Sequence, residues 1–228
     1  MRVVVSIGGS VLVPDDGPDR VAAYGRVVED LLAAGHTVAV VVGGGPTARQ
    51  YIQRARDLGS NEIELDEVGI AVTRLNARLL IAALDERATT EPPAELIDAR
   101  DALRRGDVPV MGGTEPAHTT DAVAAALAEY VDADELILAT SVPGVFDADP
   151  DEDPDATKFA ELTPAELIDL TADITLEAGS NAPVDLLAAK IIERAGLRTA
   201  VVDGTDPENV AAAVAGDHDG TTVVPGAE

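Results

Sequence analysis

The chain of 228 residues contains no cysteine. Disulfides, thiolate metal sites and cysteine nucleophiles are therefore excluded. It has two lysines, Lys158 and Lys190, and every other Lys/Arg position is arginine. Aromatic residues make up 2% and tryptophan is absent, so any core is aliphatic. No apolar run reaches the roughly 20 residues of a membrane-spanning helix. The N-terminus, MRVVVSIGG, reads directly as a strand and lacks a signal-peptide pattern. These absences lead to the expectation of a cytoplasmic protein with no membrane partner.

What is abundant is acid. Asp and Glu number 42 against 16 Lys and Arg, a formal net charge of −26. No basic stripe is available to displace phosphate counterions, so nucleic acid is not expected as a partner. Dense carboxylates keep a protein soluble where salt screens ordinary electrostatics. A uniformly acidic, lysine-poor composition fits a salt-accumulating, halophilic cytoplasm; an acidic mesophilic protein is the plainer alternative. Hydrophobic residues at 46% exclude a disordered chain. The length suits a single domain over 1–228 with a sizeable core.

Continuous apolar runs alternate with helical periodicity. Residues 2–7, 37–42, 108–113, 135–140, 198–203 and 221–224 read as strands. Helices are expected over 18–34 (opened by Pro18), 46–58, 62–86, 93–105, 120–131, 183–195 and 207–215. Thr163-Pro164-Ala165-Glu166 is a capping-box start for one more. The Asp-rich stretch 143–157 reads as a loop. Strands without polar alternation, separated by helices, predict an α/β fold with a mostly parallel sheet covered on both faces.

Four strand ends carry turns suited to ligands: Gly8-Gly9-Ser10, Gly43-Gly44-Gly45, Gly112-Gly113-Thr114 and 140–144. Ligands of parallel sheets bind beyond the carboxyl ends of the strands, and glycine there lets backbone approach a phosphate. One glycine pair is usually a tight turn; several at such ends point to phosphate. The Walker A pattern G-x-x-x-x-G-K-[ST] is absent. Gly43, Gly45 and Ala48 fit G-x-G-x-x-[GA], but the region around Glu62 and Glu67 leads into a helix rather than ending a strand, which argues against a dinucleotide site.

A phosphate ligand of so acidic a chain needs local positive charge. Arg49 lies one turn into the helix after the triple glycine, within reach of the same anion, or else is a surface arginine beside Arg54 and Arg56. Lys190 sits among Ala188, Ala189, Ile191 and Ile192; it is either a helix-surface lysine or a compact charge near phosphate. Asp121 follows Thr119 and Thr120. Either a threonine caps the helix and Asp121 complements its dipole, or these side chains meet substrate and a cation. His118 is either a base contact or a solvent-facing loop residue.

Taken together, IGGSVLVP (7–14), VAVVVGGGPTARQYI (38–52), GIAVTRLNARLLIAAL (69–84), PVMGGTEPAHTTDAVAAALAE (109–129), TSVPGVFDADP (140–150) and GDHDGTTVVP (216–225) resemble archaeal-type UMP kinases of the amino acid kinase superfamily. The resemblance implies a three-layer α/β/α sandwich, the amino acid kinase fold, assembled as a homohexamer. It implies ATP and UMP as substrates, with Mg²⁺ accompanying ATP. Gly9, Ser10, Gly45 and Arg49 match ATP-phosphate contacts, and Thr140, Phe146 and Asp149 match the adenosine site. Gly44, Asp66 and the loop Thr114, Glu115, Pro116, Ala117, His118, Thr119 and Thr120 match UMP contacts. Asp121 matches an aspartate that organises phosphoryl transfer, and Lys190 the late-helix lysine near the ATP phosphates.

The sequence also departs from the family pattern. No lysine accompanies the first loop, where Ser6 and Ser10 flank the glycines. The usual adenine-loop tyrosine is Phe146, and V-D-G-V becomes Val142-Pro143-Gly144-Val145. Isopentenyl phosphate kinase is the nearest rival, but PTARQYIQRA after the triple glycine lacks that family's histidine. A non-catalytic nucleotide-binding relative is the alternative from a different class; retention of Asp66, Asp121 and Lys190 argues against it. The charge carries its own prediction: self-repulsion weakens the fold in dilute buffer. The melting temperature is expected to rise from dilute buffer to molar KCl, and equal values would contradict this.

Overall fold

The structure, a computed structural model, describes residues 1–15, 20–148, 150, 153, 155–172 and 184–226. Pro18 and Asp149, read above as a helix start and an adenosine-site residue, lie outside the described residues, as does the first residue of the expected helix 183–195.

One seven-stranded sheet forms the middle layer among the described residues, in the order β3-β2-β1-β4-β6-β7-β5. Strands β1 (Arg2–Ile7), β2 (Thr37–Val42), β3 (Val110–Met111), β4 (Glu135–Thr140) and β6 (Thr199–Asp203) run parallel. Strand β7 (Thr221–Val223) is antiparallel to β6, and β5 (Glu161–Leu162) is parallel to β7. The reversal at β7 was not legible in the sequence, because an apolar run reports burial on both faces but not direction. The expected strand 108–113 is shorter, with Val108 making only an isolated bridge to Ala88. Strand β5 was not anticipated; two residues carry no periodicity.

The uninterrupted β-branched runs have a simple cause. Alternate side chains of each strand enter opposite cores, and both are dry. Val4, Ala39, Val41, Leu136 and Leu138 face a layer built from α5 (Leu96–Arg105), α6 (Thr120–Tyr130), α7 (Pro164–Thr171) and α8 (Leu186–Ala195). Val3, Val5, Val38, Val40 and Ile137 face α2 (Val21–Ala33), α4 (Glu62–Ala83) and α9 (Glu208–Ala215). This is the expected three-layer α/β/α sandwich. A smaller cluster of Ala48, Ile52, Leu65 and Val72 joins α3 (Gly45–Asp57) to α4. The helix ends follow local chemistry. Asn61 and Glu64 form a capping box for α4, and Thr163 and Glu166 form the expected one for α7. Gly69 does not break α4; a side chain there would meet Ile52 Cδ1 at 3.3 Å.

All five parallel strands end at one edge. There Gly8-Gly9-Ser10 is not a simple turn: Gly9 opens the short helix α1 (Gly9–Leu12). It lies directly against the turn after β2. A Cβ on Gly9 would lie 2.6 Å from the carbonyl carbon of Gly43 and overlap the backbone of Gly45. Gly45 has φ +61°, and a Cβ there would meet Ser10 N at 2.7 Å. The two turns interlock backbone to backbone, which no side chain permits. Gly9→Ala is therefore expected to cost about 3 kcal/mol or more, the upper end of overpacking penalties because neither partner is a movable side chain. A denaturant midpoint unchanged from wild type would refute the interlock.

Candidate active site

The interlocked turns form the floor of the candidate site. Helix α4 braces them from below. Asn76 Nδ2 donates to the carbonyls of Gly43 at 2.9 Å and Gly44 at 3.2 Å. Thr73 Oγ1 accepts the N–H of Gly113 at 2.7 Å, holding the turn after β3. Neither residue was singled out in the sequence. The available signal was two polar residues, 73 and 76, spaced three apart on a face that also buries Val72, Ala77 and Leu80.

One cation reaches this floor. Arg49 Nη1 lies 3.4 Å from Ser10 Oγ, so the arginine folds back from α3 onto the first turn, as its position one helical turn along suggested. This joins Ser10 and Arg49 where the sequence lacks a first-loop lysine. Helix α3 carries no side-chain cap and no acidic residue in its first turn. Its first amides therefore face the edge without a competing acceptor. Lys190 stands on the exposed side of α8 with no ion pair or hydrogen bond to a described residue.

Beside the turns lies a partly buried polar cluster, with Ser6 and Asp185 buried and Thr119 and Asp121 half-buried. Thr119 is the N-cap of α6 and accepts from Ala122 N at 3.0 Å. Its hydroxyl also donates to Asp185, which caps α8 through the N–H groups of Leu187 and Ala188 at 2.8 and 3.0 Å. One threonine and one aspartate thus tie the starts of α6 and α8 together. Asp121 lies in the first turn of α6 and accepts a hydrogen bond from Ser6 Oγ at 2.8 Å. Burial pushes its carboxyl up to about 7; the Ser6 bond opposes this and the charge of Asp185 adds to it. Asp121 is therefore not merely a dipole-complementing surface residue. Thr120 Oγ1 lies against Gly43, where a Cβ would come within 3.3 Å of it.

The loop 114–120 closes onto α4. Asp66 Oδ2 accepts the N–H of Ala117 at 2.8 Å. Ala117 has φ +64°, a left-handed conformation that an alanine keeps only when its surroundings hold it. Thr114 and Pro116 are half-buried, while Glu115, Ala117 and His118 are exposed. On the other flank, Thr140 ends β4 and bonds within its own turn, accepting from Val142 N at 3.1 Å. Phe146 is half-buried and pairs with Lys158 in an isolated antiparallel bridge. The sequence-derived residues thus converge along one sheet edge: Gly9, Ser10, Gly44, Gly45 and Arg49 at its centre, Asp121 and Thr120 beside them, and the loop 114–120 with Asp66 to one side. Among the described residues no side-chain hydrogen bond joins Thr140 or Phe146 to that centre.

Among the described residues no three His, Asp or Glu side chains come together as a metal cage. The two carboxylates of Asp121 and Asp185 do sense each other. Asp185 is engaged through both oxygens, whereas Asp121 uses one oxygen for Ser6. Its other carboxylate oxygen, free among the described residues, fits Mg²⁺, which takes one or two carboxylates and fills its octahedron with phosphate oxygens and water. No described helix is long and apolar enough to cross a membrane.

A three-layer sandwich with glycine turns at the carboxyl edge, and Arg49 folded onto the first of them, places the chain among the α/β proteins whose ligands bind beyond the carboxyl ends of the strands. Residues 1–203 match the model of the Amino acid kinase family, and the chain belongs to that family. Its similar relatives within the family include uridylate kinases. The chain is 65% identical over 226 residues to the uridylate kinase of Haloarcula marismortui, covering 99% of each. It is 61% identical to that of Natronomonas pharaonis, again over 99% of each. The crystal structure of uridylate kinase from Archaeoglobus fulgidus superposes with a TM-score of 0.88 at 45% identity, over 98% of this chain and 100% of the other.

The raised acid of Asp121 has a consequence for stability. An unfolded aspartate ionises near 3.8, whereas the folded one keeps its proton to about 7. Between these values the folded state binds more protons, so this group's contribution to stability falls as pH rises from about 4 to about 7 and is level outside that window. Asp121→Asn keeps the acceptor for Ser6 and removes the titration. The variant's melting temperature is expected to gain at least about 3 °C on wild type between pH 4.5 and 7.5, the shift that about 1 kcal/mol produces in a chain of this size. A gap that stays constant with pH would show that Asp121 titrates normally.

Proposed function

We propose that this chain is a UMP kinase that transfers the γ-phosphoryl group of ATP to UMP, giving ADP and UDP for pyrimidine nucleotide synthesis. The observation that carries this reading is the backbone interlock of the two glycine turns; on this reading an ATP-side phosphate cradle stands directly against a cradle shared by both substrates' phosphates. The full-length similarity to uridylate kinases supports UMP as the acceptor.

On this reading Gly9, Ser10, Gly45 and Arg49 hold the ATP phosphates, and Thr140, Phe146 and Asp149 hold the adenosine. Gly44 receives the UMP phosphate, Asp66 the ribose, and residues 114–120 the base, with His118 as a contact rather than a catalytic group. Phosphoryl transfer asks the protein for in-line placement and charge stabilisation rather than covalent chemistry. A UMP phosphate oxygen forms the new bond to the γ-phosphorus as the bond to the bridging oxygen of ADP breaks. That phosphate is already largely ionised at neutral pH, so no base is required. Arg49, Lys190 and the turn amides stabilise the charge spreading over the transferred group. Asp121, with Asp185 behind it, would hold Mg²⁺ through water; when bound, the ion neutralises the β- and γ-phosphate oxygens. Lys190, unpaired with any described residue on α8, is free to meet ATP.

The exposed apolar side chains Tyr51 and Leu58 on α3 and Leu75 and Leu79 on α4 support self-association as a homohexamer. The charge of −26 supports work in a salt-rich cytoplasm. A coupled assay of ADP release in molar KCl, with UMP, CMP, dUMP and isopentenyl phosphate as acceptors, tests the reading. We expect turnover with UMP from material eluting at the mass of six chains. Lys190→Ala is expected to lower kcat about 10²-fold or more, as loss of one preorganised charge at a transition state does. No UMP-dependent ADP release would overturn the function, and a kcat within a few-fold of wild type would overturn the role of Lys190.

A further inference from the structure

The turn after β4 is shaped from the far end of the chain. Gly144 has φ +134°, and a Cβ there would come within 2.7 Å of Thr221 Oγ1 and 2.9 Å of Lys158 Cδ. The next residue, Val145, donates its N–H to Thr221 Oγ1 at 2.8 Å. The same hydroxyl donates to the carbonyl of Phe159 at 2.6 Å. Phe159 N returns a bond to the carbonyl of Val145 at 2.9 Å. A single fully buried hydroxyl thus acts as acceptor for one strand of this pairing and donor to the other.

Thr221 is itself buried and paired within the sheet. Gly220 packs so closely on β6 that a Cβ would overlap the carbonyl of Val201. Thr222 N donates to the carbonyl of Ala160 at 3.0 Å, and Thr221 pairs with Val201 in the sheet. Lys158 adds an outer clasp: its aliphatic stem covers Gly144, its ammonium donates to the carbonyl of Asp219, and its backbone bridges Phe146. The fixed partner is the sheet, so the turn is the part that takes its position from the contact.

We propose that Thr221 is a positioning residue for ATP, acting through Val145 and Phe159 to hold Phe146 where the adenosine binds, with Lys158 assisting. This rests on reading Thr140 and Phe146 as the adenosine side of the site. Valine at 221 would match the shape of threonine but leave the Val145 N–H and the Phe159 carbonyl without their partner. The sheet residue cannot follow, so the turn shifts and Phe146 with it.

Steady-state kinetics and direct ATP binding by calorimetry in molar KCl test the proposal. Thr221→Val is expected to raise both KM and Kd for ATP about tenfold, the loss a buried hydrogen-bond partner causes. The KM for UMP, and kcat at saturating ATP, are expected to stay within about twofold of wild type. Thr221→Ser keeps the hydroxyl and is expected to restore ATP affinity. Lys158→Met, which keeps the apolar stem and loses the ammonium, is expected to raise the KM for ATP about threefold. A purely structural role would instead lower the melting temperature and kcat with the ATP affinity of the folded fraction unchanged, which would overturn the proposal. Phe146→Ala separates the two layers of inference. Weakened ATP binding in Phe146→Ala, with none in Thr221→Val or Lys158→Met, refutes the positioning role alone. Unchanged ATP binding in Phe146→Ala refutes the adenosine-side reading on which it rests. Should Thr221→Val fail to fold, Lys158→Met decides, and wild-type ATP affinity in that variant counts against the proposal.

Discussion

The contact between Gly9 and the Gly43–Gly45 turn is the constraint around which this molecule is arranged. Two parallel strands, β1 and β2, deliver their carboxyl ends side by side, and their turns pack with no side chain between them. The buried amides and carbonyls of that junction need partners. Asn76 supplies them for Gly43 and Gly44, which fixes α4 beneath the edge. Once α4 is fixed, Thr73 places the third turn and Asp66 places the loop that ends in α6. A single backbone approach therefore propagates, through three polar side chains of one helix, to the turn after β3 and the loop 114–120.

The second organising influence is charge. A chain at −26 repels nucleotides everywhere, so the few cations near the edge carry unusual weight. Arg49 reaches Ser10 in a first turn that has no lysine of its own, and its fork brings several donors where a lysine brings a point charge. The acids of the site are handled by burial and sharing. Asp185 is spent on the start of α8 and on Thr119, the cap of α6, and Asp121 is held by Ser6 in surroundings that resist its ionisation.

Much of this was legible in the residues alone. The β-branched runs, the helix caps and the glycine turns are local features, and each appears where local physics puts it. Arg49 one helical turn beyond the triple glycine is a statement about helix geometry, and the fold honours it. Asp66 and residues 114–120 could be named separately, but their hydrogen bond joins positions 51 apart, which no periodicity reports. Thr73, Asn76 and Asp185 escaped notice because a polar side chain on a helix reads the same whether it faces water or a carbonyl. Thr221 escaped for the same reason at a strand start.

By itself the sequence determined the layers and the chemistry: an aliphatic sheet buried on both faces, phosphate-sized glycine turns at its strand ends, and no thiol or Walker lysine. These follow from side-chain size, periodicity and the freedom of glycine, all properties of neighbouring residues. Only the tertiary structure decided which turns touch, that β7 runs against β6, and that Thr119 and Asp121, two residues apart, serve different masters. Those outcomes depend on which distant backbone groups are left unpaired when the sheet closes, a quantity that exists only once the chain is folded.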